Sequence, residues 1–272
     1  SARSLPGGKR RSDVDQLALQ QGFMDFKPMS NNDLTVRVGR QQMAYGSQRL
    51  VTIAPWINTM RTWDGVRIIN KSKTLSVSAF ATQFVTVQQA VYNNSSPSQR
   101  FYGVFSTLSK ESLPVNVDLY WLFLHKENQL FQGPSSTQST LKQTDNRNTV
   151  GARIFSKKGM QYDIEYAYQF GRWGSRQISA YFIAASVNNK FKKHSLKPSI
   201  GAALDIASGG ELSDKYTHTF NRLYPAGHKY LGYIDYVSRQ NIISPSIKAS
   251  ISPIKYIVIG GAYHHFLRAS TK

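Results

Sequence analysis

The sequence predicts an all-β chain folded as an antiparallel transmembrane β-barrel, and three observations carry this expectation. Successive segments alternate apolar and polar residues with a period of two, which is the strand period and not the helical one. Several reach the roughly 10 residues that cross a bilayer core when tilted. The connections alternate short and long, as do the tight periplasmic turns and longer extracellular loops of outer-membrane barrels. A soluble sandwich shares the alternation within strands, but it has no reason to place its long loops at one end of every hairpin.

Met160–Phe170 shows the pattern most fully. Met160, Tyr162, Ile164, Tyr166, Tyr168 and Phe170 share one side of the register, and Gln161, Asp163, Glu165, Ala167 and Gln169 share the other. One side suits lipid or a core and the other suits water.

In chain order, residues 1–13 read as a Gly/Pro/Arg loop. Strands are expected at Leu17–Lys27, Asp33–Arg40, Thr62–Ile69, Thr74–Val87, Phe101–Leu108 and Val115–Lys126. Six more follow at Thr149–Ser156, Met160–Gly171, Gln177–Asn188, Leu196–Ala207, Ile242–Ile251 and Tyr256–Leu267. The short connections are Pro28–Asn32, Asn70–Lys73, Ser109–Pro114, Lys157–Gly159, Asn189–Ser195 and Ser252–Lys255. Between them lie Gln41–Arg61, Gln88–Arg100, Glu127–Asn148 and Ser208–Asn241, all long, with Arg172–Arg176 the one short member of that series.

Charges repeatedly take one face. Leu34, Val36 and Val38 oppose Thr35 and Arg37, and Val115, Val117, Leu119, Trp121 and Phe123 oppose Asn116, Asp118 and Tyr120. Val150, Ala152 and Ile154 oppose Thr149, Gly151 and Arg153, while Ile243, Ile247 and Ala249 oppose Ser244, Ser246 and Lys248. A charge facing lipid at mid-membrane costs ~2–4 kcal/mol, so the charged face is expected to be the lumen. Phe101–Leu108 and Gln177–Asn188 are apolar on both faces, and alternation does not orient them.

Composition narrows the partners. Lys plus Arg number 34 against 15 Asp plus Glu, a formal charge of +19, which favours an anionic partner: nucleic acid, an acidic membrane surface or an acidic solute. The bases are scattered singly except at Gly8–Arg11 and Lys190–Lys193, which weakens the nucleic-acid reading. Cysteine is absent, removing disulfides and thiolate metal sites. Aromatics make up 12%, with 15 Tyr, as suits interfacial girdles. The longest apolar run, around Ile178–Val187, is too short for a spanning helix. With no initiator Met and an end directly after a strand, the chain reads as an internal piece of a longer protein.

Val36–Ile69, VRVGRQQMAYGSQRLVTIAPWINTMRTWDGVRII from Val36, resembles the alginate-export family of outer-membrane porins. The resemblance rests on Gly39-Arg40-Gln41, Tyr45-Gly46-Ser47-Gln48-Arg49 and Arg61-Thr62-Trp63-Asp64-Gly65-Val66-Arg67. Arg3–Gly8 and Leu19–Phe23 look like the preceding loop and strand, Arg222–Asp235 like the family's late extracellular loop, and His264-His265-Phe266 like the strand after it. The resemblance implies one barrel domain, here residues 1–272 and incomplete at both ends, in the outer membrane of a Gram-negative bacterium. It also implies passage of an acidic oligo- or polysaccharide such as alginate through an Arg-rich lumen, with outer-membrane lipid and a periplasmic export or assembly component as further partners.

On this reading the candidate solute path is Arg37, Arg40, Arg61, Arg67, Arg153, Lys197 and Lys248. Arginine suits the task because its planar fork grips carboxylates bidentately and stays charged, and several weak sites let an anionic chain both enter and leave. The competing expectation is that each base pairs with Asp118, Asp163, Glu165 or Asp205 to stiffen the wall. Arg49, Tyr45 and Asp64 are assigned to pinning an inward-folding loop, a role open to Arg40 as well. No enzyme, metal or cofactor is expected: His264 and His265 are adjacent in a strand and face opposite sides, and Ser208-Gly209-Gly210 lacks the Lys-Ser/Thr and helix of a phosphate loop. The alternatives are a general anion or small-organic-acid porin and, in a different class, a soluble basic β protein binding nucleic acid.

Overall fold

The computed structural model describes residues 18–28, 33–88, 91–131, 141–156, 158–210, 215–234 and 236–271. The basic run at Gly8–Arg11, the opening loop and Asp235 of the late-loop motif lie outside the described residues. Twelve strands follow one another in a single antiparallel sheet: β1 (Gly22–Phe26), β2 (Leu34–Gln41), β3 (Trp63–Lys71), β4 (Leu75–Thr86), β5 (Asn94–Leu108), β6 (Val115–Phe131), β7 (Leu141–Ser156), β8 (Gln161–Trp173), β9 (Arg176–Lys190), β10 (Ser199–Ala207), β12 (Ile242–Ile254) and β13 (Ile257–His264). Between β10 and β12, the two-residue β11 (Tyr216–Thr217) pairs in parallel with β9, and a single helical turn, α1 (Gly227–Leu231), follows it. Among the described residues β1 and β13 are not paired with each other, so the sheet is an open arc consistent with part of a barrel.

Alternation sets the two faces. In β8, Ile164 is 52% exposed and its neighbour Glu165 4%, because residues 42–62, with 218–234 and 236–241, pack on the face that carries Glu165. That face is called inner below. Leu119, Trp121, Ile154, Ile200 and Ile247 stand exposed on the other, a continuous apolar exterior that a water-soluble domain would bury.

The inner segments also account for the two strands that alternation could not orient. Phe101 and Phe105 face inward, Phe101 against Tyr224 at 5.0 Å and Phe105 against Tyr45 at 5.1 Å. Phe182 of β9 likewise meets Phe220 at 5.0 Å. Both faces of β5 and β9 are apolar because one meets the exterior and the other a packed interior. Trp63, Phe101, Phe182 and Phe220 are fully buried, each contributing about 1.5–3 kcal/mol as an upper estimate.

Several boundaries differ from expectation. β1 is confined to Gly22–Phe26, while β5 begins at Asn94, before the expected Phe101. Most of Glu127–Asn148, read as a loop, extends the hairpin: β6 runs to Phe131 and β7 starts at Leu141, in register at Gln129↔Gln143 beyond a bulge. Strands keep pairing wherever the ladder satisfies their backbones, whatever their polarity. β10 begins only at Ser199, which leaves Lys197 in the preceding turn.

Candidate functional site

The first inner segment is anchored by a turn whose backbone requires glycine. Gly46 has φ +52°, and a Cβ there would meet the Phe105 ring at 2.9 Å and an Asp118 oxygen at 3.1 Å. This approach lets Tyr45 stack on Phe80 and Phe105 and hydrogen-bond Ser78 at 2.9 Å. Just beyond, the Ser47 hydroxyl donates to Glu165 at 2.6 Å, and the Arg49 guanidinium reaches Asp163 and Glu165, each at 2.8 Å. Tyr120 donates to the other Glu165 oxygen at 3.0 Å. It can do so because it lies across Gly151, its cross-strand partner, where any Cβ would strike the Tyr120 ring at 2.4 Å.

Burial works against the Arg49 charge, but Glu165, Tyr230 and Asp163 outweigh it and raise its pKa above the ordinary guanidinium value. Arg49 is 3% exposed. A cation so placed is held by its partners, and removing it would leave the buried Glu165 without a cation, at a cost of about 3–5 kcal/mol, while Asp163 keeps Arg153.

The second segment is zipped to the first. Tyr224 N–H donates to Leu50 O at 2.8 Å, Thr52 N–H to Tyr224 O at 2.9 Å and Ala226 N–H to Gln48 O at 2.9 Å. Tyr230 donates its hydroxyl to the Ser47 carbonyl. Arg239 binds Asp205 at 2.6 and 2.9 Å and reaches back to the Arg49 carbonyl at 3.4 Å. Arg147 contacts Asp145 at 3.3 Å and Gln169 at 3.0 Å, and the Gln169 amide donates to Asn221 O at 2.7 Å. Burial pushes the Tyr224 phenol up to about 12. Arg147 and Arg239, each 2% exposed, were not among the residues singled out from sequence. Arg239 sits in a long connection without periodicity, and Arg147 in a stretch read as loop.

The seven bases of the expected path go to different places. Arg37 forks onto Asp25 at 2.7 and 2.8 Å, with its guanidinium 3.6 Å from the Phe23 ring centroid. Arg153 is shared by Asp118 at 2.8 Å and Asp163 at 2.6 Å. Arg40 leaves the inner wall: it is opposite Asp64 in the ladder, on the Val38 and Val66 side. There it forks onto Asp64 at 2.8 and 2.9 Å and donates to Asn93 O at 2.8 Å. Asp64 therefore ties down the β4–β5 connection through Arg40, while the 42–62 loop has other anchors. Arg61 lies in that loop and joins the two inner segments through Thr52 O at 3.3 Å and Pro225 O at 3.0 Å. Lys197 stands exposed in the β9–β10 turn with φ +42°, a correction to its assignment as a lumenal strand residue. Only Arg67 and Lys248 remain on the inner face without a carboxylate partner among the described residues. Arg67 donates to Ser78 at 2.9 Å and lies 5.2 Å from the Tyr45 ring centroid.

Between the inner segments and the β9–β13 wall a cleft of about 610 Å³ stays open, lined in part by Lys229, Tyr230, Lys248, His228 and His264. Its acid, Asp205, is engaged by Arg239, while Lys248 is exposed and Lys229, among the described residues, donates only to the Ser47 carbonyl at 3.3 Å. The His264 Nδ1 is buried with no hydrogen-bond partner among the described residues. Asp163 and Glu165, whose spacing would suit a carboxylate pair, are both bound to Arg49, and no group of residues suited to a metal occurs among the described residues.

No curated protein matches the chain. The model of the alginate-export family matches residues 2–272, and the chain belongs to that family.

Proposed function

We propose that this alginate-export family member contributes to an outer-membrane β-barrel channel of a Gram-negative bacterium, as one domain of a larger barrel, and passes an acidic polysaccharide along its inner bases. The observation that carries this reading is the imbalance of partners on the inner face. Asp118, Asp145, Asp163, Glu165 and Asp205 are each held by an arginine, so the positive charge of Arg67, Lys229 and Lys248 is left to act on a solute. These groups are spaced along the wall and the cleft floor, giving a polyanion several modest sites and no single deep one, as a conducting path requires. Lysine suits that task, since it attracts as a point charge and does not clamp in the bidentate manner of arginine. Arg49, Tyr45 and Arg61 hold the first inner segment, and Asp64 with Arg40 the β4–β5 connection, so that these segments narrow the path.

The test is single-channel recording of the full-length protein in planar bilayers. Anion preference is expected at low salt, fading as the Debye length falls from ~10 Å at 0.1 M to ~3 Å at 1 M, and oligouronates should block the current. Arg67→Gln with Lys248→Gln should weaken both effects while the protein still assembles. Cation preference in the unmodified pore would end this reading. Anion preference without oligouronate block would favour a general anion porin.

A further inference from the structure

The outer wall of β9, β10, β12 and β13 carries a hollow that the solute path does not use. Its volume is about 670 Å³, and it is bordered by Val187, Phe191, Ile200, Ile247 and Tyr263. The hollow exists because the cross-strand pair Ala249–Gly261 is small where its neighbours Ile200, Ile247 and Tyr263 are bulky: a Cβ on Gly261 would meet nothing within 4 Å. Ile200, Ile247 and Tyr263 are exposed around it, and its lining is almost wholly apolar.

At the short-turn rim this hollow runs into a second, also of about 670 Å³, lined by Phe191, Lys192, Lys193, His194 and Pro198. Phe191 is common to both. The turn is braced: Phe191 N–H donates to Pro198 O at 2.9 Å, Lys197 N–H to His194 O at 2.9 Å, and Ser252 N–H of β12 to Leu196 O at 2.7 Å. Lys190, Lys192, Lys193, Lys197 and Lys255 are exposed along this rim, and residues 188–199 and 252–258 contain no Asp or Glu.

We propose that this surface binds an anionic phospholipid of the periplasmic leaflet, with an acyl chain in the apolar hollow and the phosphate against Lys192 and Lys193. An apolar trough opening directly onto uncompensated lysines matches the two ends of such a lipid, and in an outer-membrane barrel the short turns face the periplasmic leaflet. A second copy of the chain fits less well. Two copies inserted with the same orientation would bring lysine rim against lysine rim, and like charges set face to face oppose association. The site presupposes the membrane channel reading, but not its solute.

Native mass spectrometry of the full-length protein from nanodiscs of phosphatidylcholine doped with phosphatidylglycerol tests the site. Selective retention of phosphatidylglycerol is expected, and Lys192→Gln with Lys193→Gln should weaken it by on the order of 30-fold while leaving phosphatidylcholine unchanged. Gly261→Phe, which fills open space on the outer face, should reduce retention of long-chain phosphatidylglycerol without altering assembly. Equal retention of the two lipids, full retention by the double variant, or displacement of the lipid by inorganic phosphate alone would each overturn the site. A protein that does not insert into vesicles removes the membrane reading and the site with it, whereas insertion without lipid preference removes the site alone.

Discussion

The two halves of the inner face use positive charge in opposite ways. Along β6–β8 the bases bound to carboxylates under the inner segments are arginines: Arg49 between Asp163 and Glu165, Arg153 between Asp118 and Asp163, and Arg147 on Asp145. Toward β12 and β13 the cleft is open, and beside the paired Arg49 it is lined by two lysines, Lys229 and Lys248, without carboxylate partners among the described residues. Arginine's fork and its weak hydration suit a buried pair, while the strongly hydrated lysine ammonium suits a wet surface. A net excess of bases therefore does not make every base available to a solute. In the packed half arginine fixes the architecture, whereas Lys229 and Lys248 of the cleft have no carboxylate partner among the described residues.

The largest test of this contrast is Arg49→Met in the full-length protein, which would leave Glu165 without a cation under the first inner segment, while Asp163 keeps Arg153. A loss of about 3–5 kcal/mol in the docking of that segment is expected, read as faster amide hydrogen exchange over residues 42–62 and as a larger single-channel conductance. Unchanged exchange would mean that the aromatic contacts of Tyr45 hold the segment without the ion pairs.

Next in size is the pair Ile164→Arg and Glu165→Gln in β8. The first puts a charge on the outer face and should impair assembly by ~2–4 kcal/mol near the membrane midplane, measured by urea titration of folding into vesicles. Alternation alone would make the second silent, but Glu165 accepts from Ser47, Arg49 and Tyr120, so a loss of about 1–3 kcal/mol is expected instead. A silent Glu165→Gln would show that the network contributes no net stability.

Smaller still is the difference between Arg153→Gln and Lys248→Gln. Removing Arg153 frees Asp118 and should destabilise the wall, whereas Lys248→Gln at an exposed site should stay within about 0.5 kcal/mol of the unmodified protein and alter only ion preference. Equal loss of stability at both positions would erase the distinction between the two halves.

The smallest effect at neutral pH concerns Tyr224. Its folded pKa of about 12 stands above the ordinary 10.0 because burial disfavours the phenolate. The folded state therefore holds its proton more tightly. The stability this confers is complete below pH 10 and is lost as pH rises through the window up to about 12. Ultraviolet titration of the phenols should show Tyr224 among the late-ionising tyrosines, its ionisation accompanied by release of the inner segments, and Tyr224→Phe should remove its share of that late absorbance change.

Much of the fold was legible because the strand period is local. A side chain's face follows from its neighbours two positions away, so the outer residues of β6, β7, β8 and β12 and the short-turn rim could be read directly from sequence. Where the inner face is itself apolar, at Phe101, Phe105 and Phe182, the signal vanished, because the packed segments replace water there. Strand ends were also hidden in the β6–β7 hairpin, where pairing continues through polar residues.

Sequence by itself determined the strand series, its lipid-compatible face, the alternation of turns and loops, and the family's motifs. Only the tertiary structure decided which bases are engaged. Arg49 meets Asp163 across 114 positions and Arg239 meets Asp205 from inside a connection with no periodicity. Such pairings depend on where two long segments settle against the wall, a matter of global packing and desolvation that no local period encodes.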